Sequence, residues 1–320
     1  MKKEDLRIVF MGTPDFAVTT LNALVREGFN IVGVITAPDR GAGRGRKVKM
    51  SAVKEYAIEK NLKILQPLNL KDEEFLGDLK KLKPNLQIVV AFRMLPKIVW
   101  SLPELGTFNL HASLLPQYRS AAPINFAIIN GESQTGLTTF FLDEEIDTGS
   151  IISQVKTIIT NKDTAGSLHD KMMLQGSILV IDTINKILNN DLKLVEQKRS
   201  IKLKSAPKLQ KEDCKINWNK DSNVIYNFIR GLSPYPASFS TIVSSEGKQL
   251  ILKIFNTLII TDSKSSEKPG TIISDEKSFM DIVTKTGKIR ILELQLAGKK
   301  KMVIGDFLRG FQNILDYHLE

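Results

Sequence analysis

The sequence predicts an α/β protein: a doubly wound, mostly parallel sheet followed by a smaller β-barrel. Short apolar runs alternate with helical segments from residue 6 to about residue 189, the rhythm of strands joined by covering helices. Residues suited to chemistry fall at the ends of those runs, where such sheets bind ligands. Beyond about residue 190 the helical rhythm gives way to several short strand-like runs with turn residues between them, which is how a small barrel reads.

Residues 6–11 are a short apolar run ending in Gly12-Thr13-Pro14-Asp15, which reads as a buried strand, a tight turn and a helix start. The helix runs through Leu21 and Leu24 to Gly28, and residues 30–36 form the next strand. Helices are expected over 50–60 and 72–82, strands over 86–92 and 107–112, and a helix over 122–130. Strands at 136–142 and 150–159 flank an acidic turn, and a long helix fills 164–189. The first turn lacks a Gly-x-Gly-x-x-Gly loop, so no dinucleotide cofactor is expected. Residues 190–206, polar and basic, read as a linker between a first domain over 1–189 and a second over 207–320. In the second, a helix is expected over 221–231 and strands over 237–243, 249–255, 257–261, 270–273, 279–284 and 288–296.

The chain has 320 residues, 42% of them apolar, and carries a net charge of +10. That is long enough for two domains, and the basic excess favours a polyanionic partner only weakly. Residues 201–320 hold 19 basic and 13 acidic side chains, so the barrel is either a nucleic-acid platform or a solvated basic surface. A single cysteine, Cys214, cannot form an internal disulfide, which points to the cytoplasm. With that one cysteine and three scattered histidines, no zinc-ligand set is present in the pattern. No apolar run approaches the length of a membrane span, and the first residues lack a signal-peptide core.

Three segments could carry chemistry. Asn109 and His111 are two apart on a strand, so their side chains share a face. An amide donor beside an imidazole suits acyl transfer, one aimed at a developing oxyanion and the other moving a proton; the alternative is a turn asparagine and a packed strand histidine. The turn after residue 142 carries Asp143, Glu144, Glu145 and Asp147, four carboxylates. The first three read as solvated. Asp147 precedes Thr148-Gly149, a tight turn that could aim its carboxylate inward; a pairing with His111 would favour the protonated imidazole, but the sequence by itself does not join two residues 36 positions apart. The loop 36–50 carries Arg40, Arg44, Arg46, Lys47 and Lys49 with glycines at 41, 43 and 45, either a solvated connection or a basic arm for phosphates.

These residues resemble the methionyl-tRNA formyltransferase family over nearly the whole chain. The stretch 109–124, Asn-Leu-His-Ala-Ser-Leu-Leu-Pro-Gln-Tyr-Arg-Ser-Ala-Ala-Pro-Ile, is similar to its formyl-folate segment, and 142–149, Leu-Asp-Glu-Glu-Ile-Asp-Thr-Gly, to its catalytic-aspartate segment. The loop 38–46, the stretch from Ala206-Pro207-Lys208 to Ile216-Asn217-Trp218, and 230–236, Arg-Gly-Leu-Ser-Pro-Tyr-Pro, match the tRNA enzyme further. The resemblance implies a Rossmann-like catalytic domain with an OB-like barrel, 10-formyltetrahydrofolate as donor without a metal, initiator methionyl-tRNA as acceptor, and a monomer. It implies catalytic roles for Asn109, His111 and Asp147. Folate contacts are implied from Phe92, Arg93, Met94, Leu95, Ser113, Leu114, Leu115, Pro116 and Ile146, and tRNA contacts from Arg40, Arg44, Arg46, Lys47 and Lys49. The sequence departs from the family pattern at 91–96, one residue shorter than usual, and at Ser120 and Glu145, where glycine is usual. Rival readings are a formyltransferase acting on a sugar or nucleotide amine, a hydrolase of formyl-folate, and a nucleic-acid-binding protein with an inactive enzyme domain.

Overall fold

The computed structural model describes residues 2–42, 47–198, 202–260 and 266–320. In chain order, β1 (Ile8–Gly12), α1 (Asp15–Arg26), β2 (Ile31–Ile35), β3 (Arg40–Ala42) and β4 (Lys47–Lys49) are followed by α2 (Ala52–Glu59), β5 (Ile64–Leu65), α3 (Glu73–Lys81) and β6 (Leu86–Val90). Then come α4 (Lys97–Trp100), β7 (Thr107–His111), α5 (Pro123–Ile129), β8 (Gln134–Phe141), β9 (Ile151–Ile158) and α6 (Ala165–Leu188). The remainder holds α7 (Ser222–Leu232), β10 (Ser238–Ser244), β11 (Gln249–Ile260), β12 (Ile272–Ser274), β13 (Met280–Val283), β14 (Lys288–Leu296), β15 (Met302–Val303), α8 (Ile304–Gly310) and β16 (Tyr317–Leu319).

The chain packs as two units that are not contiguous in sequence. One comprises residues 1–120, 135–158 and 169–205; the other 121–134, 159–168 and 206–320. Of the stretch 190–206, expected as a linker, the described residues 190–198 and 202–205 fall within the first unit, where Val195 bridges Ile151 through backbone bonds of 2.8 and 3.0 Å.

The first unit is built on a seven-stranded sheet in the order β5-β2-β1-β6-β7-β8-β9. Pairing is parallel from β5 to β7. It turns antiparallel at β7–β8, where His111 lies opposite Thr138. Strands β1 and β6 are buried on both faces, as their unbroken apolar runs require. Phe10, Phe108 and Phe140 are fully buried, each contributing roughly 1.5–3 kcal/mol. Helix starts follow local chemistry. Ser51 accepts from the Lys54 amide at 3.0 Å, and Asp72 from the Phe75 amide at 3.1 Å, each capping a helix. The turn after β1 needs Gly12 because a Cβ there would lie 2.6 Å from that of Ala17.

The second unit centres on a sheet in the order β12-β13-β14-β11-β10-β16, with β15 against β14. A bridge between Thr271 and His318 brings its two edges together, giving a nearly closed barrel. Two expected strands, 249–255 and 257–261, are one strand, β11, kinked by a register shift at Asn256. Trp218 is buried under this barrel with Ile225, Ile229 and Leu252 around it, and its indole N–H donates to Ser240 Oγ at 2.9 Å. Helices α5 and α7 pack together in this unit, and the Asn125 amide donates to the Gly231 carbonyl at 2.8 Å.

Candidate active site

Strand β7 delivers Asn109 and His111 to the same face near its carboxyl end, as the two-residue spacing requires. His111 is buried, 7% exposed, and its Nε2 lies 2.9 Å from the Tyr118 carbonyl. A carbonyl can only accept, so Nε2 carries the hydrogen and donates. The opposite ring edge, Nδ1, faces Oδ2 of Asp147 at 3.8 Å. That distance is too long for a direct hydrogen bond, and it leaves Nδ1 able to engage a third group.

Asp147 reaches this position from the turn between β8 and β9 with φ of 56°, a left-handed conformation that aspartate tolerates better than most residues. Its Oδ2 also accepts the Ser120 amide hydrogen at 2.9 Å. Two residues on, Gly149 is required by contact: a Cβ there would sit 1.7 Å from the Phe141 carbonyl oxygen. The neighbouring carboxylates Asp143, Glu144 and Glu145 are exposed, as a solvated acidic turn would be, and they also make local bonds. Asp143 accepts from the Glu145 amide at 3.2 Å and from Thr148 Oγ1 at 2.7 Å, so it organises the turn. Glu144 pairs with Lys97 at 2.5 Å, and that cation holds its carboxyl below the usual value.

A cavity of about 490 Å³ opens beside these groups, large enough for a drug-sized ligand. Asn109, Asp147 and Ile146 line it, together with Phe92, Arg93, Met94 and Leu95 from the segment after β6. Among the described residues no protein group bonds the Asn109 side-chain amide, which stays free to donate into the cavity. Arg93 belongs to the wall through its backbone anchoring: its guanidinium donates to the carbonyls of Leu68, at 2.8 Å, and Pro67. Burial and the nearby Arg40 lower its pKa.

The expected folate turn, Ser113, Leu114, Leu115 and Pro116, is absent from that lining. Ser113 and Leu115 are buried, and their hydrogen bonds turn inward. Ser113 Oγ donates to the Gln117 carbonyl at 2.6 Å; Thr138 Oγ1 donates to the Ser113 carbonyl at 2.6 Å and accepts from the Leu115 amide at 3.1 Å. This turn shapes the site by holding the chain that carries Tyr118 and Ser120. Tyr118 and Ser120 lie in the 109–124 stretch, but their contacts to His111 and Asp147 run through backbone atoms that leave no sequence signal, and Gln197 lies in a polar stretch outside every motif.

The basic segment is a hairpin at its base rather than a plain loop: β3 and β4 pair antiparallel, with exposed Arg40 opposite exposed Lys49. Lys47 forms the inner pair with Ala42, while Arg44 and Arg46 lie outside the described residues. Among the described residues no helix is long and apolar enough to cross a membrane, and no group of three His, Cys, Asp or Glu side chains could hold a metal.

A parallel sheet with an Asn-His-Asp arrangement at its strand ends, joined to a small barrel, is the layout of a two-part acyl-transfer enzyme. Residues 6–184 match the family described as formyl transferase, and residues 208–312 the family described as formyl transferase, C-terminal domain. The methionyl-tRNA formyltransferase of Bacteroides thetaiotaomicron is 53% identical over 315 residues, spanning 98% of each chain. That of Flavobacterium johnsoniae is 53% identical over 307 residues, spanning 96% of each. The chain belongs to the methionyl-tRNA formyltransferase family. Solved structures of more distant proteins share the fold. An N-formyltransferase from Helicobacter canadensis, solved with folinic acid and dTDP-3-aminofucose, superposes with a TM-score of 0.64 at 22% identity, covering 93% of this chain and 100% of its own. HypX from Aquifex aeolicus, solved with tetrahydrofolic acid, gives 0.62 at 18% identity, covering 95% of this chain and 48% of its own.

Proposed function

We propose that this protein transfers the formyl group of 10-formyltetrahydrofolate to the amino group of initiator methionyl-tRNA, with Asn109, His111 and Asp147 as the catalytic residues. The observation that carries the reading is the convergence of the three groups. Asn109 and Asp147 line one cavity, and His111 is fixed by Tyr118 so that its Nδ1 edge faces Asp147. The neutral amine attacks the formyl carbon, and the carbonyl electrons move to oxygen. The Asn109 amide and the Nδ1–H of a protonated His111, whose Nε2–H stays on the Tyr118 carbonyl, donate to that oxyanion. Asp147 takes the amine proton, directly or through a water; the oxyanion then re-forms the carbonyl as the bond from carbon to the folate nitrogen breaks, and that nitrogen receives the electron pair and the proton.

The folate occupies the cavity between Phe92–Leu95 and Ile146, and residues 1–189 are the catalytic part of the chain. The barrel-bearing part beyond residue 206 and the basic arm bind the tRNA as a polyanion, with Arg40 and Lys49 at the root of the arm and Arg44, Arg46 and Lys47 beyond them. The protein acts as a monomer in the cytoplasm. Formyl transfer from 10-formyltetrahydrofolate, compared across methionyl-tRNA, free methionine and a dTDP-linked amino sugar, tests the assignment. Transfer to the charged tRNA alone is expected; transfer to the amino sugar in preference to the tRNA would overturn it.

A further inference from the structure

We propose that Gln197 is a positioning residue for formyl transfer, acting as a clasp that sets where Asp147 stands relative to His111. The inference rests on the reading of His111 and Asp147 as the reacting pair. Gln197 sits in the polar stretch that leaves α6, outside every motif of the sequence, yet its side-chain amide is fully used. Nε2 donates to the Asp147 carbonyl at 2.9 Å and to the Gly149 carbonyl at 2.8 Å. Oε1 accepts from Arg119 Nε at 3.1 Å and Nη2 at 2.6 Å. One planar group therefore joins the turn carrying the Asp147 carboxylate to the residue preceding Ser120, whose amide holds that carboxylate. Of the two supports of Asp147, the one at its carbonyl is Gln197 itself, and the one at its Oδ2 is the amide of Ser120, the residue that follows Gln197's partner Arg119.

The stretch is anchored on either side of the clasp. Before it, Val195 bridges Ile151 at the start of β9. After it, the Lys204 carbonyl accepts from the Tyr118 amide at 2.7 Å, and the Lys204 amide donates to Gln117 Oε1 at 2.8 Å. Tyr118 is the residue whose carbonyl orients His111. Gln197 thus bonds the Asp147 side of the pair, and Lys204 the Tyr118 side. The part of Gln197 is geometric: a misplacement of about 1 Å at a reacting group can reduce turnover about 100-fold.

The test is single-turnover formyl transfer by the full chain carrying Gln197→Met, Gln197→Glu, Asp147→Asn, or Gln197→Met with Asp147→Asn. Methionine removes all four bonds at similar volume. Glutamate keeps the acceptor for Arg119 and loses the two donors to the Asp147 and Gly149 carbonyls. Either single Gln197 change is expected to lower turnover by about 100-fold with folate affinity unchanged. In the Asp147→Asn background Gln197→Met should add a loss of less than about threefold, because the group it positions is already disabled. If Gln197→Met does not fold, Gln197→Glu alone decides. Full turnover by a folded Gln197 variant, or an equal loss in both backgrounds, would overturn the proposal while leaving the catalytic pair standing. Normal turnover by Asp147→Asn would instead overturn the reading on which the proposal rests.

Discussion

Oδ2 of Asp147 stands 3.8 Å from Nδ1 of His111 while accepting the Ser120 amide hydrogen at 2.9 Å. The carboxylate is held by the backbone, so its place depends little on its charge. Asp147→Asn keeps an oxygen for Ser120 and removes the base. Turnover should fall by about 100- to 10,000-fold with folate binding intact. Asn109→Ala, which removes a free donor from the cavity, should lower turnover by about 100- to 1000-fold. Pre-steady-state transfer measured beside folate titration checks both; a matching loss of folate affinity would count against purely chemical roles.

Gly149→Ala should unfold the turn that carries Asp147. The added Cβ would meet the Phe141 carbonyl oxygen, a backbone atom that cannot swing aside as a side chain does. A loss of about 3 kcal/mol is expected, the upper end for overpacking, which lowers Tm by roughly 6 °C or more in a unit of this size. Calorimetry of the variant reads this directly.

Arg230 should matter for stability and not for chemistry. It is 7% exposed, and its guanidinium donates to the Thr160 and Asp163 carbonyls at 3.0 and 2.8 Å and to Asn227 Oδ1 at 2.8 Å. Burial lowers its pKa, yet arginine stays charged at any working pH. Arg230→Met removes three charge-assisted hydrogen bonds at a buried site and should cost about 3 kcal/mol or more. Arg230→Lys should recover only part of it, because an ammonium lacks the planar fork. Urea titration of the two variants distinguishes the outcomes.

Binding to the tRNA should weaken steeply with salt. With about six phosphates neutralised, affinity falls by roughly a thousandfold between about 50 and 200 mM salt. Arg44→Ala should weaken tRNA binding and flatten that slope while folate affinity holds. Filter binding across salt concentrations measures both, and equal losses for the two substrates would remove the arm from tRNA recognition.

Cys214 is 2% exposed, and its Sγ donates to the Gln210 carbonyl at 3.3 Å. Burial first, and then Asp213, push its thiol up. At any pH the native protein therefore holds less thiolate than the unfolded chain, and disulfide reagents at pH 8 should react at least about tenfold more slowly before denaturant is added.

The sheet and the shared face of Asn109 and His111 were legible where the local pattern determined the outcome. The period-two spacing of Asn109 and His111, the apolar run before Gly12 and the Asp-Thr-Gly turn each specify their own geometry. Elements defined by distant partners were not. Ile64–Leu65 is too short to show a period and exists as a strand only against β2. Tyr317–Leu319 lies far along the chain from the Thr271 that it bridges in closing the barrel. The polar stretch 190–206 has the composition of a linker, and nothing local shows that Gln197 bonds a turn 50 residues away. Residues 92–95 line the cavity and Ser113–Pro116 do not, a difference with no local signal, since it depends on Thr138 bonding the Ser113 carbonyl and the Leu115 amide from 23 to 25 residues away.

The two packing units share the chain out in interleaved pieces, and this restricts how the protein can be recombined. A cut after residue 205 would release residues 206–320 but leave α5 and the segment 159–168 behind, stripped of α7, the Gly231 carbonyl and the Arg230 guanidinium that complete them. Neither unit is a cassette with a single splice junction. A hybrid that joins one half to a foreign partner must import α5 and residues 159–168 with the barrel, or redesign the faces they cover, before it can be expected to stay in solution.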